Sequence, residues 1–266
     1  MSEFYNPKRS NKWNYGGPNW RLSRSKLDLF MECPKCFYID NKLGTGRPKG
    51  YPFNLNSAVD ALLKKEFDIH RKAQTPHPLM VKFAIDAIPF AHKDIDVWRE
   101  NFKGVQTLYD AGGFYVSGAV DDVWINPAGE LHIVDYKSTS KDEEVTLDAE
   151  WQDGYKRQME VYQWLLRHNG FKVSNTGYFV YANGRKDKDK FEGVLEFRMK
   201  IIPYDGDDSW VDGAIRDAKE CLDRDTIPGS SNACQYCAYR DGVRDVEQEK
   251  GGVVKQNKED GRGTLF

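Results

Sequence analysis

The chain has 266 residues, of which 39% are hydrophobic, 13% aromatic and 30% charged, and its formal net charge is −2. This composition excludes a disordered chain, and the near-neutral charge restricts any nucleic-acid contact to a local basic surface. The apolar runs are too short to span a membrane, and residues 1–13 lack the apolar core of a signal peptide, so we expect a cytoplasmic protein without a membrane partner.

The first part of the chain is basic and then helical. Residues 6–26 contain six basic residues and no acidic one, together with Trp13, Tyr15 and Trp20. We expect residues 1–22 to form an irregular arm, which either tracks a nucleic-acid backbone or straps its aromatic rings onto the core. Capping and apolar patterns then predict helices from residue 25, over about 56–67 and over 79–88.

The pattern then changes to one that favours strands. Alternating, β-branched and aromatic residues predict strands over 105–110, 114–125, 131–136, 176–181 and 194–202, and amphipathic patterns predict helices over 148–168 and 208–222. This order predicts one mixed α/β (α+β) domain over residues 23–243, with a central mixed sheet flanked by helices. Residues 244–266 are charged and glycine-containing, and we expect a disordered tail there.

A turn in the middle of the chain fixes the register of two predicted strands. The sequence Asn126-Pro-Ala-Gly129 suits a type I turn that ends with glycine in the left-handed region. Such a three-residue loop pairs Asn126 with Glu130. Counting back from this pair places Asp121 opposite Asp135.

Two acids and a lysine then share one face of this hairpin. Side chains alternate along a strand, so Asp121, Asp135 and Lys137 lie together while Asp122 points to the other face. Facing carboxylates favour a cation between them, and Mg²⁺ or Mn²⁺ with bound water suits such oxygen ligands. Taken alone, a solvated face on which Lys137 pairs with an acid explains the pattern equally well.

The cysteines form two matched pairs. Cys33 and Cys36 precede Cys234 and Cys237 by about two hundred residues, and two Cys-x-x-Cys pairs supply the four thiolates that Zn²⁺ or an iron–sulfur cluster requires. Such a site would join the first helix to the last segment of the domain. We expect the remaining cysteine, Cys221, to lie in the core.

The hairpin resembles a known family of nucleases. Gly118-x-x-Asp121 on one strand and Asp135-x-Lys137 on the next are similar to the PD-(D/E)XK nuclease superfamily. The resemblance is greatest to its RecB-like branch, which includes the nuclease domains of RecB and AddB and the CRISPR-associated exonucleases. It implies a restriction-endonuclease-like core.

Three further motifs are similar to that branch and stand in its order over about residues 23–243. Gln158 and Tyr162 match its Gln-x-x-x-Tyr motif, the segment at Cys33 its Cys-Pro-x-x-Phe element, and the segment at Cys234 its Cys-x-x-Cys element. The branch often holds an iron–sulfur cluster with one early and three late cysteines. This chain has two early and two late cysteines, so the resemblance favours a 4Fe–4S cluster and leaves zinc as the alternative.

The resemblance also assigns roles in the hairpin. It implies that Asp121, Asp135 and the carbonyl of Tyr136 hold the metal and that Lys137 is the catalytic lysine. A histidine ligand of the branch is replaced here by Asp60, which either completes the metal site or is an ordinary helix-surface aspartate.

The same resemblance implies a function. Gln158 and Tyr162 would contact DNA or orient the catalytic residues. The expected activity is a Mg²⁺- or Mn²⁺-dependent deoxyribonuclease, an exonuclease on single strands or ends, in repair, recombination or defence and with a helicase as a candidate partner. The alternative is a catalytically inactive nucleic-acid-binding module that keeps the fold and the cysteine site.

Overall fold

The computed structural model of the chain describes residues 10–48, 50 and 53–250 in full and the backbone of 251–259. Its helices are α1 (Arg24–Glu32), α2 (Pro34–Asn41), α3 (Asn54–Ala73), α4 (Pro78–Lys82), α5 (Ile95–Trp98), α6 (Asp153–His168), α7 (Val211–Asp223) and α8 (Gln235–Glu259). Its strands are β1 (Leu22–Ser23), β2 (Ile88–Pro89), β3 (Val105–Tyr109), β4 (Phe114–Gly118), β5 (Asp122–Ile125), β6 (Leu131–Thr139), β7 (Thr176–Gly184) and β8 (Phe197–Asp205). Within this part of the chain, no helix combines the length and the apolar character needed to cross a bilayer.

The strands form two mixed sheets. The larger has the order β2-β5-β6-β7-β8, with β6 and β7 parallel and the other pairs antiparallel. The smaller has the order β1-β4-β3, with β1 parallel to β4 and β3 antiparallel to it. The prediction of a mixed α/β fold with mixed sheets flanked by helices is therefore confirmed.

Helices cover both faces of the larger sheet. Side chains of α3 pack on one face against alternate strand residues; this layer contains Leu63, Phe67, Trp124, Val134 and Val180. Side chains of α6 and α7 pack on the other face; this layer contains Val123, Ile133, Phe179, Met159, Leu165 and Ile215. Because α6 also contacts β3 and β4, it joins the two sheets into one core.

The predicted hairpin register is confirmed. Asp122 pairs with Val134 and Ile125 with Leu131, and the backbone nitrogen of Asn126 donates to the carbonyl of Glu130 over 3.1 Å. Asp121 therefore lies at the start of β5, beside β6 and opposite Asp135.

The prediction of one continuous strand over 114–125 is wrong. The chain leaves the smaller sheet at Gly118 and enters the larger one at Asp122. Between Gly118 and Asp122 the backbone forms hydrogen bonds with residues at the end of helix α5 and not with a neighbouring strand. The backbone nitrogen of Val120 donates to the carbonyl of Trp98 over 3.1 Å, and Arg99 Nε donates to the carbonyl of Asp121 over 3.0 Å. The apolar sequence pattern continues through this crossing because the residues before it, on β4, and after it, on β5, are mostly buried.

Other boundaries differ for local reasons. The helix predicted over 79–88 ends at Lys82, since Ala84 has a positive φ of 53° and Ile88 joins the sheet beside Ile125. Helix α2 had not been predicted; it begins one residue after α1 ends, across an extended Cys33. The tail predicted from residue 244 overlaps α8 as far as Glu259, and residues 260–266 lie outside the described residues.

The described part of the N-terminal arm packs against the domain. Trp20 is buried, and its Nε1 donates to Asn41 Oδ1 over 3.1 Å. Tyr15 packs edge-on against Trp20 and donates to Asp223 over 2.8 Å, whereas Trp13 is exposed. These contacts favour the strap for Tyr15 and Trp20; residues 1–9 of the arm lie outside the described residues.

A buried ionic network ties α3 and α5 to the hairpin. Asp122 is fully buried and accepts from Arg71, from Arg99 Nη2 over 3.0 Å and from Tyr136 Oη over 2.7 Å. Arg71 and Arg99 also share Asp68, at 2.9 Å each. The carboxylate on this face is thus neutralised and hydrogen-bonded, which a buried charge requires.

We expect Asp122→Ala to lower the free energy of unfolding by about 3–5 kcal/mol, because it removes the buried carboxylate that Arg71 and Arg99 share and leaves them only the partly exposed Asp68. Urea unfolding followed by circular dichroism measures the change. The control is Asp187→Ala, which removes an exposed pair with Arg185 and should leave the urea midpoint in place. A parental midpoint for Asp122→Ala would contradict this account of the network.

Candidate functional site

The two hairpin acids meet where the chain passes from one sheet to the other. Asp121 lies in the crossing just before β5, and its Oδ2 accepts from the backbone nitrogen of Tyr136 over 3.0 Å. Asp135 lies on β6 and is fully buried. The backbone of β6 therefore fixes Asp121 beside Asp135, as the register predicts.

Asp135 is held by one neighbour on its strand and one on helix α6. Its Oδ2 pairs with the ammonium group of Lys137, and its Oδ1 accepts from Gln158 Nε2 over 2.8 Å. Gln158 Nε2 also lies 3.2 Å from Tyr162 Oη, one helical turn along α6. Burial raises the pKa of Asp135 to about 6, the charge of Lys137 opposes that shift and the charge of Asp121 adds to it.

Gly118 leaves room for the Tyr162 ring beside Gln158 and Asp135. A Cβ atom on Gly118 would lie 2.6 Å from the Tyr162 ring, a distance that side-chain contacts do not tolerate. The ring therefore lies directly on β4, and burial raises the pKa of Tyr162 to about 12. This contact gives a physical reason for glycine three residues before Asp121.

Asp60 lies beside Asp121, and a lysine that the sequence analysis missed connects them. Lys64 Nζ donates to Asp60 Oδ2 over 2.8 Å and to Asp121 Oδ1 over 3.1 Å. Burial and then the charge of Asp121 raise the pKa of Asp60. The four-residue spacing of Asp60 and Lys64 on one helix was the available signal, since such pairs lie on one helix face.

Arg24, on helix α1, also lies near Asp135 and Tyr162. Its positive charge lowers the pKa of Tyr162 and of Asp135, against the effect of burial. Its Nε is buried and has no hydrogen-bond partner in the structure. A guanidinium with a free donor at this position suits a phosphate oxygen.

The oxygen ligands fit a divalent cation. Asp60, Asp121 and Asp135 supply hard carboxylate oxygens, and Asp60 Oδ1 is buried without a hydrogen-bond partner. The ammonium of Lys64 provides positive charge between Asp60 and Asp121. Within the described residues, the four cysteines are the one set of three or more potential ligands that converges on a single point, whereas the three carboxylates are paired with Lys64 and Lys137.

The cysteines predicted to form a metal site do converge. Cys33 Sγ lies 3.9 Å from Cys237 Sγ, and Cys36 Sγ lies 3.7 Å from Cys234 Sγ and 3.5 Å from Cys237 Sγ. A tetrahedral zinc ion with bonds of about 2.3 Å places its sulfur ligands about 3.8 Å apart. A four-iron cluster inserts its own iron and sulfur atoms between the thiolates and would hold them farther apart. The four converging thiols could thus hold a metal, either a single zinc ion or an iron–sulfur cluster.

The metal-free thiols differ in how readily they ionise, because burial raises the pKa of Cys36 and of Cys237 whereas that of Cys33 is lowered. Burial raises the pKa of Cys33, but backbone hydrogen bonds at Cys36 and Ser231 lower it overall to about 7. Arg47 Nη2 lies 3.3 Å from Cys234 Sγ and supplies positive charge at the edge of the site.

Comparison with known proteins identifies the family. The family model of the PD-(D/E)XK nuclease superfamily matches residues 55–241, and the chain belongs to this superfamily. No curated protein matches the chain. A solved structure described as "Crystal structure of SSO0001" is similar over 78% of this chain and 79% of that chain, with 17% sequence identity and a TM-score of 0.33.

The role of Lys64 can be tested without an activity assay. We expect Lys64→Met to melt several degrees below the parent without added metal, because Asp60 and Asp121 then face each other without a counter-charge. Mn²⁺ should raise the melting temperature of the variant more than that of the parent, since the ion no longer competes with the lysine. Thermal unfolding with and without Mn²⁺ measures both effects.

The matched control is Lys219→Met. Lys219 pairs with Asp223 at the same four-residue helical spacing but far from the hairpin in sequence and on an exposed face. Lys219→Met should leave the response to Mn²⁺ unchanged and should lower the melting temperature only slightly. Equal Mn²⁺ responses in Lys64→Met and the parent would show that the lysine does not compete with the ion.

Proposed function

We propose that the protein is a Mg²⁺- or Mn²⁺-dependent nuclease that hydrolyses phosphodiester bonds of DNA. The observation that carries this proposal is the convergence of Asp60, Asp121, Asp135 and Lys137 at one strand crossing of a PD-(D/E)XK chain. Lys137 pairs with Asp135 on its own strand, and Lys64 pairs with the other two carboxylates, Asp60 and Asp121. This arrangement combines metal ligands with a positive group next to them.

The carboxylates are assigned to the ion. Asp121 and Asp135, with Asp60 and the carbonyl of Tyr136, would hold Mg²⁺ or Mn²⁺, which when bound supplies charge to stabilise the phosphate oxygens. Tyr136 serves this arrangement through its backbone nitrogen, which orients Asp121. Its side chain faces the opposite side of the sheet, where it bonds Asp122.

The remaining polar groups position substrate and ligands. Lys137 orients the attacking water and offsets negative charge that develops on the phosphate. Gln158 and Tyr162 are positioning residues, because they hold Asp135 in one orientation. Arg24, whose Nε is buried without a partner, binds a phosphate oxygen of the substrate.

The substrate and setting follow from the RecB-like motifs. We infer an exonuclease that acts on single strands or ends, in repair, recombination or defence, with a helicase as a candidate partner. The alternative is an inactive nucleic-acid-binding module. The buried Asp135–Lys137 pair argues for the enzyme, since burying a carboxylate is costly and a binding surface has no need of one there.

We further propose that the cysteine site holds one Zn²⁺ ion. The sulfur separations of 3.5–3.9 Å support a single tetrahedral ion over the iron–sulfur cluster that the RecB-like resemblance favours. The site links α1 and α2 to the start of α8, so its role is structural.

The activity prediction uses labelled single-stranded and duplex DNA with Mg²⁺ or Mn²⁺. We expect Lys137→Ala and Asp121→Ala each to reduce cleavage at least about 100-fold, because each removes a group that acts on the reacting phosphate. Gel analysis of the products measures the rate and gives the polarity. The control is Lys172→Ala, which removes an exposed lysine paired with Glu130 and should cleave at the parental rate.

The possible outcomes separate the two functions. Binding without cleavage in both metals would favour the inactive module over the enzyme. Cleavage that survives both substitutions, in variants shown to be folded by circular dichroism, would mean that Asp121 and Lys137 are not the catalytic pair.

The cysteine prediction concerns metal content and stability. The purified protein should be colourless and contain one zinc per chain, and Cys33→Ser should lose the zinc and melt at a lower temperature. Elemental analysis and thermal unfolding measure this. Cys221→Ala should keep its zinc, because Cys221 lies in the main core and outside the four-cysteine set. Brown protein with iron and sulfide would contradict the single-ion site.

A further inference from the structure

Two aromatic rings, one exposed and one half-buried, lie beside the candidate active site, and none of the roles above uses them. Trp151, in the short 3-10 turn before α6, is 58% exposed, and Tyr155 lies in the first turn of α6. Their rings meet edge to face with centroids 5.5 Å apart. The exposed face of Trp151, backed by the half-buried Tyr155 ring, offers a flat apolar surface for a ligand ring.

A lysine ammonium group lies near each of the two rings. Lys137 Nζ lies 4.2 Å from the centroid of the Tyr155 ring, and Lys141 Nζ lies 5.0 Å from the centroid of the Trp151 ring. Because Lys137 also pairs with Asp135, Tyr155 is one side chain away from the candidate metal ligands. The aromatic surface and the candidate catalytic lysine are therefore continuous.

The turn that presents Trp151 is rigidly built. Gln152 is buried, its Oε1 accepts from the backbone nitrogen of Ala149 over 3.0 Å, and its Nε2 donates to the carbonyl of Thr146 over 2.7 Å. The same Nε2 lies 3.4 Å from Tyr181 Oη on the sheet. With its neighbour anchored inward in this way, Trp151 is directed outward without a rearrangement of the turn.

We propose that Trp151 and Tyr155 form a base-stacking platform for single-stranded nucleic acid, and that Lys137 and Lys141 neutralise its adjacent phosphates. This inference rests on the proposed nuclease function and adds to it the residues that would select a single strand. Stacking on aromatic side chains accepts any base, but the base must be unstacked from its neighbours. A duplex buries its base faces, so the platform selects single strands or frayed ends.

The platform also fixes which part of the substrate it binds. Lys137 contacts both the Tyr155 ring and Asp135. A base on the platform therefore belongs to a nucleotide next to the phosphate that is cut. Removing the ring should affect binding of that nucleotide and leave the metal ligands in place.

The test measures affinity for a fluorescent oligothymidylate and for a matched duplex by polarisation, in an Asp121→Ala background that prevents cleavage. We expect Trp151→Ala to weaken single-strand binding roughly 5- to 150-fold, the range typical of one lost base–aromatic stack, and to leave duplex binding unchanged. Trp151→Phe should restore most of the affinity, because a smaller ring still stacks. Phe102→Ala, which removes a 95% exposed ring from another loop, is the control and should bind like the parent.

An abasic residue moved along the oligonucleotide locates the stacked base. At one position the abasic substitution and Trp151→Ala should each weaken binding, and combining them should add little, because both remove the same contact. At all other positions the two losses should add. Additive losses at every position would overturn the platform.

Failure of the platform and failure of the nuclease give different results. If the parent cleaves or binds DNA and Trp151→Ala binds single strands equally well, the platform is wrong and the nuclease stands. An equal loss of duplex and single-strand affinity also overturns it, because base stacking cannot explain that loss. If the parent neither binds nor cleaves any DNA, the proposed function fails and the platform with it.

Discussion

Two adjacent aspartates with opposite surroundings organise this molecule. Asp122 points toward α3, where Arg71, Arg99 and the Tyr136 hydroxyl satisfy it completely. Asp121, just before β5, accepts one backbone amide and shares Lys64 of the same helix with Asp60. Asp122 therefore stabilises the fold, and the less buried Asp121 is left able to bind an ion.

Helix α1 connects the two sites. Arg24 at its start lies close to Tyr162, and Cys33 immediately after its end belongs to the four-cysteine set. Between them, Asp28 accepts from Arg157 Nε of α6 over 2.8 Å. A metal at the cysteines would hold this helix in place over its whole length. The orientation of Arg24 beside the candidate active site thus depends on chemistry at the far end of the helix.

The sequence predicted those features that local rules determine. Turn chemistry at Asn126 and Gly129 was enough for the register of β5 and β6, and with it the juxtaposition of Asp121 and Asp135. The sheet crossing at residues 119–121 was missed because β4 before it and β5 after it are both mostly buried. The sequence therefore lacks the longer run of polar residues that usually marks the end of a strand. The place of Arg24 beside Tyr162 could not be predicted, because it depends on how α1 packs on α6, a contact between distant segments. Trp151 was missed because its exposure is set by the fold: an aromatic residue in sequence more often predicts core.

Local charge explains how a nearly neutral chain can bind a polyanion. Asp60, Asp121 and Asp135 are balanced by Arg24, Lys64 and Lys137, which reach them from three different elements. The metal-free site is therefore close to neutral and offers little net attraction to a phosphodiester. Two sources of additional positive charge adjoin it: a cation on the carboxylates, for which Asp60 Oδ1 is still unpartnered, and Lys141 over the Trp151 ring. In the proposed nuclease, affinity for the phosphate and affinity for the base would arise from different groups, and Lys137 contacts both groups, through Asp135 and the Tyr155 ring.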